Sequence, residues 1–436
     1  MSIELVTLTM FGSLIIGLIL GLPLSFVLGG IAVGYTYLLW GPQALFMIVS
    51  RSFDWSTNVL ILCLPYFITM GLLLERSGIA GDLYEMFYRW VGFLKGSLAI
   101  VTVVVCAVVA AMTGNTGAGT VSTGIIAYPA MIKRNYDKRL VIGTIASAGT
   151  LGILIPPSVM FIIIGMVCGV SVGKLFAGGV LSGMMLAGLF ILFIVVRTFL
   201  NPKLAPPAPV AFSRAEKMKS LAGVIPPLFI IVAVLGTLFG GLATPTEAAS
   251  IGVCAVAVSI AIRRRFNWRM FQDVCYTNLK LSCMVLWIII GASCFVSLYS
   301  ALGAKEFLEG LVVGLGLSRW FVIILMMLIL FILGMFLDPA GIIMLAAPVF
   351  YPIIIKLGFD PIWFGVLFVI NLQMGYISPP FGYNLFYMKS ICGSDVRIEE
   401  IYLSVLPFLG IMAIGLAIIM VFPQLATWLP SILIKK

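Results

Sequence analysis

Four short stretches hold the residues whose types and spacing could do chemistry. The first is Thr113, Gly114, Asn115 and Thr116. The second runs from Gly149 to Ser158 (GTLGILIPPS) and contains Gly152, Ile155 and Pro157. The third is Leu337 to Gly341, with Asp338 and Gly341. The fourth is Gly375 to Asn384, with Gly375, Ser378, Phe381 and Asn384. What they share is oxygen. Paired prolines at Pro156-Pro157 and Pro379-Pro380 remove backbone donors and release the carbonyls one turn earlier. Released carbonyls suit Na⁺, a hard cation. The amides at the other half-helix end, at the positive pole of the helix dipole, suit an anion. The expected chemistry is therefore joint binding of Na⁺ and an organic anion. One Na⁺ site would use Thr113, Gly114, Asn115, Thr116, Gly152, Ile155 and Pro157, the other Asp338, Gly341, Gly375, Ser378 and Phe381, with Ile155, Pro157 and Phe381 contributing carbonyls only. Asn115, Ser158, Pro379 and Asn384 are the candidates for contact with the organic anion.

Each residue also has a plainer role. Glycines and threonines let helices pack closely, although packing alone does not call for two matched pairs of breaks. Asp338, placed before Pro339, can cap a helix, contact the ion or substrate, or do both. Glu247, after Thr-Pro-Thr, reads as a helix-start cap, and Arg263-Arg264-Arg265 as a topology anchor. The eight cysteines form no CxxC pair and read as reduced thiols. With no histidine, no GxSxG and no metal-ligand cluster, an enzyme is not expected, nor an organic cofactor.

The elements that must position these residues follow from composition. The chain is 62% hydrophobic and 10% charged over 436 residues, whereas a soluble domain carries roughly a quarter charged residues. Apolar runs of about 20 residues recur, the length of a helix that crosses a bilayer, and the short alternation of a membrane barrel is missing. The expected class is an all-α polytopic membrane protein. Glu4 and the lack of a basic leader argue against a cleavable signal. The net charge of +10 sits in short loops, which points to membrane topology rather than nucleic acid.

Along the chain, residues 1–199 divide into two scaffold helices (5–40), an arm (57–92) with an amphipathic stretch at Ser77 to Trp90, a hairpin (97–132), a broken helix (140–168) and a span (172–196). A polar, proline-rich linker (200–220) follows. Residues 221–436 repeat the order: scaffold helices (221–262), an arm (270–317) with a sideways segment from Lys305 to Leu317, a hairpin (320–355), a broken helix (362–388) and a final span (403–422). Irregular backbone at membrane depth must be buried in protein or line a cavity, so both hairpins are expected to be re-entrant.

The halves superpose by sequence. A shift of 223 residues lays Tyr128-Pro129 on Tyr351-Pro352, Lys133 on Lys356, Asp137 on Asp360, Gly152 on Gly375, Pro156-Pro157 on Pro379-Pro380, and Asn115 on Asp338. Charged residues are rare here, so the Lys and Asp coincidences carry the most weight. Five crossings separate the hairpins. Five is odd, so the hairpins enter from opposite faces and the repeat is inverted. Of the 26 Lys and Arg residues, 19 fall on one side. The tendency of basic loops to face the cytoplasm then puts both termini outside.

The ordered set GxLIPPS (Gly152 to Ser158), ATPTEAA (Ala243 to Ala249), LDPxxI (Leu337 to Ile342) and GxxSPPxG (Gly375 to Gly382) resembles the large membrane subunit, DctM-like, of the tripartite ATP-independent periplasmic (TRAP) transporters, over essentially the whole chain. The resemblance implies an elevator-type ion-transporter fold and Na⁺-driven uptake of a carboxylate across the bacterial inner membrane. It also implies a small four-helix membrane subunit and a periplasmic substrate-binding protein as partners, in contact with membrane lipids. The positions matching the family's Na⁺ sites are the first tip with Gly152 to Pro157, and the second hairpin with Gly375 to Phe381. Many relatives have a Ser-rich first tip, where this chain reads Thr-Gly-Asn-Thr. A stand-alone ion-driven anion carrier or antiporter with the same repeat is the alternative, and proton coupling stays open.

Overall fold

The computed structural model describes residues 3–92, 94–206, 212–303, 310 and 317–434. Among these residues the regular structure is helical and there is no strand. Among the described residues, seven helices are long and apolar enough to cross a membrane: Val59–Ser77, Val172–Leu200, Arg214–Phe239, Pro245–Ile262, Trp268–Ala301, Pro339–Lys356 and Ile398–Val421. Shorter apolar helices combine around breaks. Ser97–Thr113 turns back into Thr116–Ile132, and Arg319–Gly334 into Pro339–Lys356, giving the two hairpins. Lys138–Gly149 with Val159–Cys168, and Pro361–Tyr376 with Tyr383–Cys392, form the two broken helices. The expected sideways segment Lys305 to Leu317 lies almost wholly outside the described residues.

Local chemistry sets these boundaries identically in both halves. Asp137 caps Lys138–Gly149, its Oδ1 accepting from Leu140 N at 2.9 Å. Asp360 caps Pro361–Tyr376, accepting from Ile362 N at 2.7 Å and Trp363 N at 2.9 Å. The aspartate coincidence in the sequence repeat is thus a repeated helix cap. The peptide bonds Pro156-Pro157 and Pro379-Pro380 are both cis, at equivalent places in the two repeats.

The halves interlock reciprocally. Helix Leu24–Trp40 packs along Trp268–Ala301 of the second half, and Pro245–Ile262 packs along Cys63–Ser77 of the first. Ile398–Val421 lies against Lys138–Gly149, and Val172–Leu200 against Pro361–Tyr376. Thr116–Ile132 meets Tyr383–Cys392, and Val159–Cys168 meets Pro339–Lys356. Each contact has a counterpart with the halves exchanged, which is the packing of an inverted-topology repeat about a pseudo-two-fold axis. The broken helices are innermost: every residue from Leu140 to Val159 and from Ile362 to Gly375 is buried.

Several elements differ from the sequence reading. Phe46–Ser56 is an additional helix with no buried residue. It is too short to span and its polar Ser50, Arg51 and Asp54 interrupt the apolar pattern. Trp268–Ala301 is one continuous helix of 34 residues rather than an amphipathic stretch followed by a span, because neither glycine nor proline interrupts it before Gly291. The linker contains a helix, Arg214–Ser220, started by a capping box between Ser213 and Glu216, and Gln424–Leu433 follows the final span. Arg263 and Arg265 do more than mark a loop. Both pair with Asp82 of helix Ile79–Val91, and Arg265 donates to the Ser77 carbonyl at 2.9 Å. Glu247 caps as expected, in a capping box with Thr244.

Candidate functional site

The first hairpin tip is built by a left-handed glycine and an asparagine cap. Gly114 ends Ser97–Thr113 with φ +63°, a conformation open to glycine without steric cost. Asn115 then starts Thr116–Ile132, its Oδ1 accepting from Gly117 N at 2.9 Å. The tip presses directly on the first break. A β-carbon at Gly114 would lie 1.9 Å from the Pro157 carbonyl oxygen, and one at Gly152 would lie 2.6 Å from the Asn115 carbonyl oxygen. Main chain of tip and break is therefore in direct contact at two glycines that no other residue could replace without displacement. Thr113 packs on Gly71, its hydroxyl bonded to the Val109 carbonyl at 2.9 Å. The Thr116 Oγ1 is buried with no hydrogen-bond partner. A buried, unpartnered oxygen at this contact is the kind of ligand a hard cation takes.

Ser158 and Ile155 serve the break itself. The Ser158 hydroxyl donates to the Ile153 carbonyl at 2.5 Å and accepts from Phe161 N at 3.4 Å. Ile155 packs its side chain on Gly183 of the following span. Ser158 is thus a cap for Val159–Cys168, with its hydroxyl turned inward.

In the second half, Asp338 occupies the place of Asn115 and caps Pro339–Lys356, accepting from Ala340 N at 3.0 Å. Gly334 and Gly375 bring hairpin and break together, since a β-carbon on Gly375 would lie 2.7 Å from the Gly334 α-carbon. Ser378 is buried and donates to the Met374 carbonyl at 2.7 Å. Gly341 looks elsewhere: a β-carbon there would meet Leu24 at 2.3 Å, so its tight contact is with the scaffold helix and not with the break. The Phe381 ring is half exposed and packs edge-on against Phe336 of the second hairpin. Pro379 lies in the cis Pro-Pro turn, where the Pro380 carbonyl accepts from Tyr402 Oη at 2.7 Å.

The two halves meet through Gln373, which the spacing of motifs did not single out, and through Asn384, which it did. Gln373 donates to the Thr150 carbonyl at 2.9 Å. Asn384 accepts from Thr120 Oγ1 at 2.8 Å and donates to the Ala146 carbonyl at 2.5 Å. Asn384, expected to face the organic anion, has its carboxamide used between the halves. Tyr387 stands over the first tip, where a β-carbon on Gly117 would meet its ring at 3.2 Å. Tyr383 and Tyr387 are exposed, and the Tyr383 ring lies 6.0 Å from that of Tyr376, centroid to centroid. The signal for Gln373 was present: Asn371 and Gln373 are carboxamides in an otherwise apolar helix, where polar groups are costly.

Comparisons with known proteins agree with this architecture. Residues 11–425 match the family model described as tripartite ATP-independent periplasmic transporter, DctM component. The chain is 32% identical to the C4-dicarboxylate TRAP transporter large permease protein DctM of Pseudomonas aeruginosa, over 92% of this chain and 93% of that protein. It is 31% identical to the protein of the same name from Rhodobacter capsulatus, over 98% and 99%. The crystal structure of the Alcanivorax borkumensis YdaH transporter, titled as having an unusual topology, shares the fold with a TM-score of 0.63 at 17% identity, over 89% of this chain and 90% of that one. An inverted pair of hairpins and broken helices, matched along nearly its whole length by these permeases, places the chain in the DctM component family of the TRAP transporters, a family of multi-pass membrane transport proteins and not of enzymes.

Proposed function

We propose that this protein is the translocating subunit of a Na⁺-coupled transporter that imports a small organic carboxylate by an elevator mechanism. One observation carries the reading. Two hairpin tips press on two helix breaks through glycines too tight for any β-carbon, at Gly114 with Pro157 and at Gly375 with Gly334. Unwound main chain at such places is how carriers of this build hold Na⁺ and anionic groups. The ion sites in this reading are Thr113 to Thr116 with Gly152, Ile155 and Pro157, and Asp338 with Gly375, Ser378 and Phe381, Gly341 contributing only its main chain. The carboxylate is proposed to bind at Asn115 and at the exposed phenols of Tyr383 and Tyr387, the latter beside Gly117 of the first tip.

In this reading the hairpins, broken helices and final spans move as a unit against a scaffold of residues 5–40 and 221–262, with the arms 57–92 and 270–317 between them. The tightly buried broken helices suit a body that travels intact, and the exposed apolar faces of Ile3–Ile19 and Leu24–Trp40 suit lipid and a small four-helix membrane subunit. A periplasmic binding protein delivers the cargo, and both termini face the periplasm of a bacterial inner-membrane protein. Relatives named for C4-dicarboxylates make these the first cargo to test, although others are named for isethionate and for ectoine.

The test is reconstitution of this chain in proteoliposomes with its small subunit and binding protein. An inward Na⁺ gradient should drive uptake of a labelled C4-dicarboxylate, and replacing Na⁺ with K⁺ should stop it. Equal uptake in both salts would refute Na⁺ coupling, and uptake by this chain without partners would refute the three-component assembly.

A further inference from the structure

We propose that Gln373 and Asn384 are positioning residues that couple the two ion sites, so that an ion at one break readies the other. The inference rests on the functional reading above and adds to it a pair of residues and a measurable cooperativity.

Helix Lys138–Gly149 tightens into the 3-10 turn Thr150–Ile153 before the first break. The Thr150 N–H bonds to Ser147 and Ala148 rather than Ala146. The Leu154 N–H bonds to Leu151 rather than Thr150. The carbonyls of Ala146 and Thr150 lie one turn apart on one helix face at this transition. Both accept from the other half: Gln373 donates to Thr150 and Asn384 to Ala146.

These two carboxamides bracket the second break, Gln373 two residues before Gly375 and Asn384 two residues after Gly382. Both are fully buried. A continuous line of contact therefore runs from the second hairpin at Gly334 to Gly375, along the chain to Gln373, across to Thr150 and through the first break to Pro157 and Gly114. Gln373 and Thr150 are moreover the same position in the two repeats, 223 residues apart. Equivalent positions touch only beside the pseudo-two-fold axis, so the strut sits midway between the sites.

Unwound segments are the parts of a helix with most freedom to lose. An ion that orders one break fixes, through these bonds, the carbonyl-bearing segment of the other. The second ion then binds a site whose ordering cost has already been met, which is positive cooperativity.

The experiment is a Na⁺ titration of uptake by the reconstituted three-component transporter. The wild type should give a Hill coefficient above 1. Gln373→Met and Asn384→Leu should each bring it towards 1 and raise the Na⁺ concentration for half-maximal uptake about fivefold or more, with a smaller change in rate at saturating Na⁺. Thr120→Val removes only the bond that Asn384 accepts and should keep the wild-type coefficient. Gln373→Asn keeps the carboxamide but is one methylene short of Thr150, and should behave as Gln373→Met if the latter does not fold. A folded Gln373 or Asn384 variant with the wild-type Hill coefficient overturns the coupling while leaving Na⁺-driven uptake standing. Wild-type uptake that ignores Na⁺ overturns the functional reading and the coupling together.

Discussion

Gly114 and Pro157 stand so close that a β-carbon on the glycine would lie 1.9 Å from the proline's carbonyl oxygen. The contact joins the tip of the first hairpin to the bend of the first broken helix, and it holds only because Gly114 has no side chain and a φ of +63°. Gly114→Ala should therefore separate tip from break. The left-handed backbone alone costs a non-glycine residue about 1–2 kcal/mol, and the clash adds to it. We expect Na⁺-driven uptake to fall by more than about tenfold, with a lower melting temperature in detergent. Wild-type uptake from this variant would show that the contact is not needed.

Thr116 offers a finer test, because its hydroxyl is buried without a partner. Thr116→Val keeps the shape and removes the oxygen. Folding should be unchanged or slightly improved, since an unmet polar group is lost. If Oγ1 ligates Na⁺, the half-maximal Na⁺ concentration should rise roughly tenfold or more, as for a bond to a charged group, and Thr116→Ser should recover it. Identical Na⁺ curves for Thr116→Val and the wild type would remove this oxygen from the site.

The cap and the charge of Asp338 can be separated. Asparagine caps as well as aspartate, and the first half uses Asn115 at the equivalent position. Asp338→Asn should thus keep the wild-type melting temperature while reducing Na⁺-driven uptake by more than about tenfold. Asp338→Ala should lose both, with a stability cost of about 1 kcal/mol. Full uptake by Asp338→Asn would make the residue a cap only.

Gly375→Ala tests the second half. Its new methyl would meet the Gly334 α-carbon at 2.7 Å, backbone against backbone, so no side-chain rotation relieves it. Overpacking of this kind costs about 1–3 kcal/mol. The variant should melt earlier and need more Na⁺ for half-maximal uptake. Gly341→Ala, whose clash is with the flexible end of Leu24, should be milder. The reverse order would place the critical contact against the scaffold.

The repeat, the four breaks and the membrane class were legible in the chain because each is a matter of composition or local backbone chemistry. Prolines remove donors wherever they stand, a 20-residue apolar run demands a bilayer, and Asp137 and Asp360 cap helices using only residues within three positions. Helix Phe46–Ser56 escaped because it is short and unburied, so no periodic apolar face announces it.

What the residues alone could not decide was partnership across the halves. Ser158, Asn384 and Gly341 were all near a break in sequence. Folding turned the Ser158 hydroxyl back on Ile153, joined Asn384 to Thr120 and Ala146, and set Gly341 against Leu24. Gln373 gained its role only when a carbonyl 223 residues earlier came within 2.9 Å. Amino-acid order thus dictated where helices must stop and which oxygens come free, since those depend on neighbours along the chain. Which freed oxygens are satisfied by the other half, and which stay open to an ion, depends on distances through space, and these were settled by the interlocking of two inverted halves.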